Sequence, residues 1–282
     1  MSRIIPSIYS YDRESTIQNT TISNQPINNL PATGEKIIIA LLQKYGFLSS
    51  PLLQRYINLR KHGTINVKKS LRKLQEQGKV EKYTITHSND VADIDVYVLS
   101  NAERKKYKIR SIYRFDMMDI PYILEHLSIA QWHVSMLEGK GTKEVAYYKQ
   151  INAKGFITQL QSVVQIKNVT GRNMILSAIT IPKGIQKQDI ASLFTTIITT
   201  DNYFRDRKSQ YNAYVIVLIC ESESQIEQIS QMLTKMAETT EIYIIYSLDT
   251  LSADDTFDPL STLYDVKREE GETELSVLKL RG

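Results

Sequence analysis

Cysteine is almost absent from this chain of 282 residues, since Cys220 is the only one. A single cysteine cannot form a disulfide within the chain, so the sequence predicts a protein of a reducing compartment, which we expect to be the cytoplasm. Cys220 ends the apolar run 214–220, which favours a buried core residue over a nucleophile or a metal ligand. Residues 1–20 lack the apolar segment of a secretory signal, and no apolar run approaches the length of a membrane span, so no membrane contact is expected.

Histidine is also scarce, because the chain has only His62, His87, His126 and His133. This scatter excludes the metal-binding histidine cluster that a relaxase needs. His126 and His133 lie two turns apart on one predicted helix, but no third ligand of a suitable type is near them, so a helix surface or a core position is favoured over a metal site. We therefore predict no metal and no cofactor.

The charges that are present are unevenly distributed. The net charge is only +4, but residues 55–82 hold nine basic residues against two acidic ones, Glu76 and Glu81. Phosphate neutralisation supplies most of the non-specific affinity for DNA, and it needs such a concentration of cations. We predict contacts with double-stranded DNA at Arg55, Arg60, Lys61, Asn66, Lys68, Lys69, Ser70, Arg72, Lys73, Lys79 and Lys82.

The centre of this basic region has the pattern of an amphipathic helix. Val67, Leu71 and Leu74 recur at helical spacing and form one apolar face, while the lysines fall mainly on the other side. Thr64 is the predicted N-cap and Gly78 the predicted C-terminal cap. Base reading would fall to the residues near the start of this helix, which are Asn66, Lys69, Ser70 and Lys73.

The flanking segments complete the pattern of a winged helix-turn-helix. A first helix is predicted over 35–45, and a second begins at 49–51 with a capping serine and an early proline. Strands over 79–85 and 95–99, joined by a polar turn at 88–90, predict a β-hairpin wing. A cationic helix face can simply be solvated, and winged helices also bind proteins. DNA binding is favoured because the charge lies on the helix that would enter the groove.

The whole chain is predicted to be α+β, with the N-terminal winged helix-turn-helix followed by a small α/β domain. Segment 121–138 predicts a long amphipathic helix with an apolar stripe at Ile123, Leu127, Ala130, Val134 and Leu137. This helix either joins the two domains or pairs with its copy in a homodimer. Residues 251–282 are strongly acidic, and 275–280 are expected to form an edge strand. The predicted boundaries are a disordered arm over 1–33, the DNA-binding domain over 34–115, a connecting helix over 116–140, the α/β domain over 141–250 and an acidic tail over 251–282.

A resemblance to a known family rests on three features in this order. The winged helix is followed by Tyr97-Val98-Leu99-Ser100, then by the helix segment Glu125-His126-Leu127-Ser128-Ile129-Ala130, and then by the α/β domain. This order, over residues 34–249, resembles the replication-relaxation family of plasmid and mobile-element proteins of Gram-positive bacteria. The resemblance implies a C-terminal domain similar to the restriction-endonuclease fold. It also implies a role in plasmid replication, DNA relaxation or transfer, or the regulation of such an element.

Nuclease chemistry is not expected from that domain. The nuclease form needs an acid on one strand and a D/E-x-K motif on the next, because carboxylates must hold the divalent metal that activates water. Residues 145–188 contain no Asp or Glu, and the nearest match, 165–167, has Gln165 where the carboxylate would stand. Segment 139–142 lacks the spacing of a phosphate-binding loop, and no nucleophile elbow is present. We therefore predict a degenerate fold with no catalytic residues, not an enzyme.

Three functions stay open at this point. The first is a non-catalytic double-stranded DNA-binding protein of a plasmid or mobile element, which acts in replication, in DNA transfer or in their regulation. The second is a transcriptional regulator of the winged-helix type. The third is a metal-dependent nuclease with an atypical site in the C-terminal domain. That domain is otherwise expected to mediate dimerisation or to contact a protein partner.

Overall fold

The computed structural model describes residues 34–59, 65–86, 93–107, 119–167, 170–182, 184–185, 187–207, 213–237, 242–249, 263–269, 272–278 and 280. The chain is a mixed α+β protein with helices and a large mixed sheet. It divides into two compact units between Ala130 and Gln131, which are called here the N-terminal and the C-terminal unit. The predicted arm over 1–33 lies outside the described residues.

The N-terminal unit packs helices on a small antiparallel sheet. Its strands follow the spatial order β1-β3-β2, with Phe47 opposite Val98 and Val80 opposite Leu99. The apolar faces of α1, α2 and α3 are buried, as amphipathic helices require. The elements are α1 Gly34–Tyr45, β1 Phe47–Ser49, α2 Ser50–Leu59, α3 Val67–Glu76, β2 Val80–Ile85, β3 Ile94–Leu99 and α4 Asn101–Lys106.

The predicted helices and hairpin of this unit are confirmed within a residue or two. α1 ends before Gly46, whose φ is 79°, and the Ser49 hydroxyl accepts a bond from Leu52 N at the start of α2. Strand β1 was missed, because three residues are too few to show a pattern. The predicted turn at 88–90 and the predicted N-cap Thr64 lie outside the described residues.

The C-terminal unit is built on a mixed sheet whose order in the described part of the chain is β10-β9-β8-β7-β6-β5-β4. β4, β5 and β6 are antiparallel, whereas β6, β7 and β8 run parallel. The parallel strands are apolar almost throughout, as strands covered on both faces must be. The elements are β4 Lys143–Ala153, β5 Phe156–Lys167, β6 Asn173–Thr180, α6 Lys187–Arg205, β7 Ala213–Cys220, α7 Glu223–Ala237, β8 Ile244–Leu248, β9 Leu263–Glu269 and β10 Glu272–Leu278.

Three details of this unit differ from the sequence-based expectation. The sequence pattern predicts two short strands over 145–149 and 163–168, but β4 and β5 form one long hairpin through 143–167. The sequence predicts Asp189 as the N-cap of a helix that ends near Phe204, but Asp189 lies inside the first turn of α6. The described part of the predicted acidic tail contains two strands, β9 and β10, which continue the sheet. β10 lies at the edge of that sheet, so the predicted edge strand is confirmed.

Helix α5, Ile120–Glu138, contributes to both units. Four of the five predicted stripe residues, Ile123, Leu127, Ala130 and Val134, are buried, and Leu137 is half-buried. Polar residues around the helix such as Ser128 and Gln131 are buried as well. The expected amphipathic pattern is therefore wrong, since a helix buried on many sides has no single apolar stripe. The stripe is covered within one chain, so it gives no support to the predicted homodimer.

Candidate nucleic-acid interface

Helix α3 is anchored to the N-terminal unit by its apolar face. Val67, Leu71 and Leu74 are buried, as predicted. The helix ends at Gly78, which adopts a φ of 64° and donates its N–H to Gln75 O, while Lys79 N bonds to Leu74 O. These two bonds define a Schellman motif, in which glycine tolerates the left-handed conformation. The exposed face of α3 is therefore held in a defined orientation.

Asn66 starts the helix, in place of the predicted cap Thr64. Its side-chain oxygen accepts a hydrogen bond of 3.0 Å from Lys69 N, and its backbone is extended, as an N-cap requires. The amide oxygen of Asn66 is thus engaged by the helix backbone, and only its exposed NH₂ group is directed away from that bond. The predicted base-reading role of Asn66 is limited to this donor.

Replacing Asn66 tests the cap separately from the charge of the helix. We expect Asn66→Ala to lower the free energy of unfolding by about 1 kcal/mol, because an N–H of the first turn loses its acceptor. Asn66→Asp keeps an acceptor oxygen and is expected to retain the stability. Urea denaturation of the full chain measures both variants. Equal losses in the two variants would contradict a capping role.

Two lysines lie in the first turn of α3, where the positive end of the helix dipole disfavours cations. Lys68 and Lys69 are exposed, and neither forms an ion pair within the described part of the chain. The first turn of α3 has no acidic residue, although the positive end of a helix dipole favours one. A local preference that a sequence violates often marks a functional site. Among the described cations of the predicted DNA-contacting surface, Lys68 and Lys69 are the exposed ones with no ion pair to another described residue.

Three other described cations of the predicted surface form ion pairs with acidic residues. Ion pairs of 2.8–3.0 Å join Arg72 to Glu76, Lys73 to Glu35 and Lys82 to Asp95. The hydrogen bond from Lys73 lowers the pKa of Glu35, and the hydrogen bond to Asp95 raises the pKa of Lys82. Such partly exposed pairs contribute about 0–1 kcal/mol each, so a phosphate can replace the carboxylate at small cost.

The remaining residues predicted to contact DNA differ in how exposed they are. Arg55 is only 7% exposed, so little of its surface is available to a phosphate. Ser70 is half-buried beside Gly34, where α1 and α3 approach closely. Lys79 is half-buried and its ammonium bonds to Gln77 Oε1 at 2.8 Å. Arg60 and Lys61 lie outside the described residues.

A groove of about 600 Å³ lies between the start of α2 and the start of α3. Gln54 and Asn58 from α2 line one side of this groove, and Lys68 lines the other. The two amides are linked by a hydrogen bond of 2.9 Å. Their spacing of four residues, with Pro51 three before Gln54, places them on the exposed face of α2. This spacing could have identified Gln54 and Asn58 from the sequence.

The C-terminal unit places no set of metal ligands together in its described part. No three His, Cys, Asp or Glu side chains cluster among the described residues of the chain. His133 is buried, with Nδ1 2.7 Å from Ser162 Oγ and Nε2 3.3 Å from Glu144 Oε2. Cys220 is buried as predicted, and burial raises the pKa of its thiol. The arrangement is that of a packed core and not of an open site.

Known proteins supply no direct comparison. No family model, no curated protein and no solved structure matches the chain. In the described part of the chain, no helix combines the length and apolar character needed to cross a membrane.

Proposed function

We propose that residues 34–115 form a winged helix-turn-helix that binds double-stranded DNA through the exposed face of α3. The proposal rests on Lys68 and Lys69, which project from the first turn of a helix whose opposite face is anchored in the core. α2 precedes this helix and the β2–β3 hairpin follows it, as the second helix and the wing would in that fold. The protein would then act without catalysis on the DNA of a plasmid or mobile element, in replication, transfer or their regulation.

The groove between α2 and α3 also supports this proposal, because it offers amide side chains beside the lysine. Amide side chains read adenine edges in the major groove, whereas lysines bind phosphates or guanine. Gln54, Asn58 and the NH₂ group of Asn66 supply the first kind of contact, and Lys68 supplies the second. Phosphate contacts would set the affinity and the amides the sequence preference. A transcriptional regulator would use the same surface.

The C-terminal unit is proposed to be the degenerate restriction-endonuclease-like domain that the family resemblance implies. Gln165 stands on β5, and no acidic residue occurs on the described strands β5 or β6. An amide is a poor substitute for a carboxylate as a ligand of a divalent metal. We therefore propose a role in contacts with a partner, not in hydrolysis.

Fluorescence anisotropy of a labelled duplex, measured in EDTA across a salt series, tests the DNA-binding function. If about five phosphates are neutralised, the affinity should fall by roughly three decades between about 50 and 200 mM salt. Weak binding that does not respond to salt would contradict the proposal. Incubation of a supercoiled plasmid with Mg²⁺ is the parallel assay, and strand breaks there would favour the nuclease alternative.

A further inference from the structure

The β4–β5 hairpin extends beyond the neighbouring strand of the sheet. β6 pairs with β5 only over 162–167, whereas β5 pairs with β4 up to Ala153 and Phe156. Lys154 and Gly155 join the two strands with φ values of 50° and 86°. Two central residues with positive φ define a type I′ turn, whose twist matches that of the strands. The hairpin tip, residues 149–160, thus extends past the paired part of β6, and Thr158 on it donates a hydrogen bond of 3.4 Å to Thr196 of α6.

Two large apolar side chains are exposed at this tip. Phe156 is 59% and Ile157 is 64% exposed, although the strand residues Ile151 and Leu160 on either side are buried. Full burial of a Phe or Ile side chain contributes about 1.5–3 kcal/mol. Phe156 and Ile157 are successive residues of β5 and point to opposite faces of the hairpin. A partner that receives the end of the hairpin could bury both side chains.

The charge around the tip indicates an anionic partner. Lys149 and Lys154 are exposed beside the two apolar side chains. The tip itself, residues 149–160, contains these two lysines and no acidic residue. Apolar wedges flanked by cations are typical of proteins that enter the minor groove of DNA and unstack a base step.

The neighbouring amides favour DNA over a lipid surface. Asn152 lies directly opposite Ile157 in the ladder, Gln150 lies opposite Gln159, and Asn152 and Gln150 are exposed. Insertion of Ile157 into lipid chains would carry the Asn152 amide out of water, which is unfavourable for an unpaired polar group. The floor of the minor groove instead offers hydrogen-bond acceptors on its base edges.

We propose that the hairpin tip is a second DNA contact, in which Phe156 and Ile157 insert into the minor groove and kink the duplex. Lys149 and Lys154 bind the flanking phosphates, and Asn152 bonds to base edges. The inference rests on the proposed DNA-binding function and adds to it a structural effect on the DNA. A protein with this contact binds flexible pyrimidine–purine steps better than stiff A-tracts.

The experiment uses the full chain and an A·T-rich duplex with a central TA step, labelled at both ends for energy transfer. We expect the wild type to raise the transfer efficiency, because a kink brings the ends together. We expect Phe156→Ser/Ile157→Ser to lose this change and to bind about tenfold more weakly, since two apolar groups no longer enter the duplex. Val145→Ser/Val277→Ser is the matched control, since both valines are exposed on the same sheet, and it should behave as wild type.

The outcomes separate the two proposals. A wild type that does not bind the duplex contradicts the DNA-binding function itself. A wild type that binds, together with a tip variant that keeps the same affinity and transfer efficiency, overturns only the role of the hairpin. Binding of the wild type but not of the tip variant to phosphatidylserine vesicles, with DNA affinity unchanged, would assign the tip to lipid and overturn the proposal. Unchanged melting temperatures are expected for both variants, because all four side chains are exposed.

Discussion

Reversal of the two first-turn lysines, Lys68→Glu/Lys69→Glu, is expected to weaken DNA binding by roughly 60-fold at about 0.1 M salt. Each phosphate contact contributes about 0.9 to the slope of log affinity against log salt. Loss of two contacts lowers the slope by about 1.8, which amounts to about 60-fold over the decade below 1 M salt. Repulsion between the new carboxylates and the phosphates would increase the loss. Anisotropy titration of the labelled duplex measures both the affinity and the slope.

The same substitution should act on stability in the opposite direction. A negative charge in the first turn of a helix interacts favourably with the helix dipole, so the variant is expected to gain about 0.3–1 kcal/mol. This difference in sign excludes misfolding as the reason for weak binding. Lys105→Glu/Lys140→Glu is the matched control, because it makes the same change in net charge at two exposed lysines outside α3. An equal loss in this control would contradict a specific role for α3.

Replacement of Glu125 by glutamine is expected to stabilise the protein by about 2 kcal/mol at pH 8 and to have no effect at pH 4. Burial raises the pKa of Glu125 to about 7, from about 4.5 in the unfolded chain. Because the folded pKa is the higher one, the wild type loses stability as the pH rises from about 4.5, and the loss levels off above about 7. The shift corresponds to about 3 kcal/mol, which partial exposure reduces. A glutamine side chain is neutral at every pH, so the variant avoids this loss.

Urea denaturation at several pH values tests this expectation, with Glu138→Gln as the control at the exposed end of the same helix. The neighbouring His126 also contributes to the dependence of stability on pH. Its Nε2–H donates to Tyr45 O at 2.7 Å, and burial lowers its pKa to about 4. The unfolded chain therefore binds a proton that the folded one does not, and stability falls as the pH drops from about 6.5 to 4.

These two residues oppose each other between about pH 4.5 and 6.5. The wild type should be nearly insensitive to pH in that window, because the gain at Glu125 on acidification offsets the loss at His126. Glu125→Gln removes the first effect only, so its stability should fall by about 3 kcal/mol from pH 6.5 to 4. A variant whose profile runs parallel to the wild type would show that Glu125 is charged in the folded state.

Local patterns account for the parts of the fold that the sequence predicted well. The helical spacing of Val67, Leu71 and Leu74 placed α3, and the strand alternation that follows placed the β2–β3 hairpin. Both depend on residues close in the chain, so the apolar face or the hairpin register follows from spacing alone. The sequence did not predict β1, because a strand of three residues shows no pattern. It also did not predict the turn at Lys154-Gly155, where a glycine between two strands is the signal of a hairpin.

The sequence by itself thus determined the composition of this protein, its mixed α+β class and the cationic helix on which the proposed function rests. Only the tertiary structure decided which cations are accessible. Arg55 is buried by its neighbours, and Lys73 meets Glu35 of another helix, whereas Lys68 and Lys69 stay exposed. It also decided that β9 and β10 join the sheet, and that Phe156 and Ile157 project from it. Burial and ion pairing depend on residues that are distant in the chain, and no local spacing reveals those neighbours.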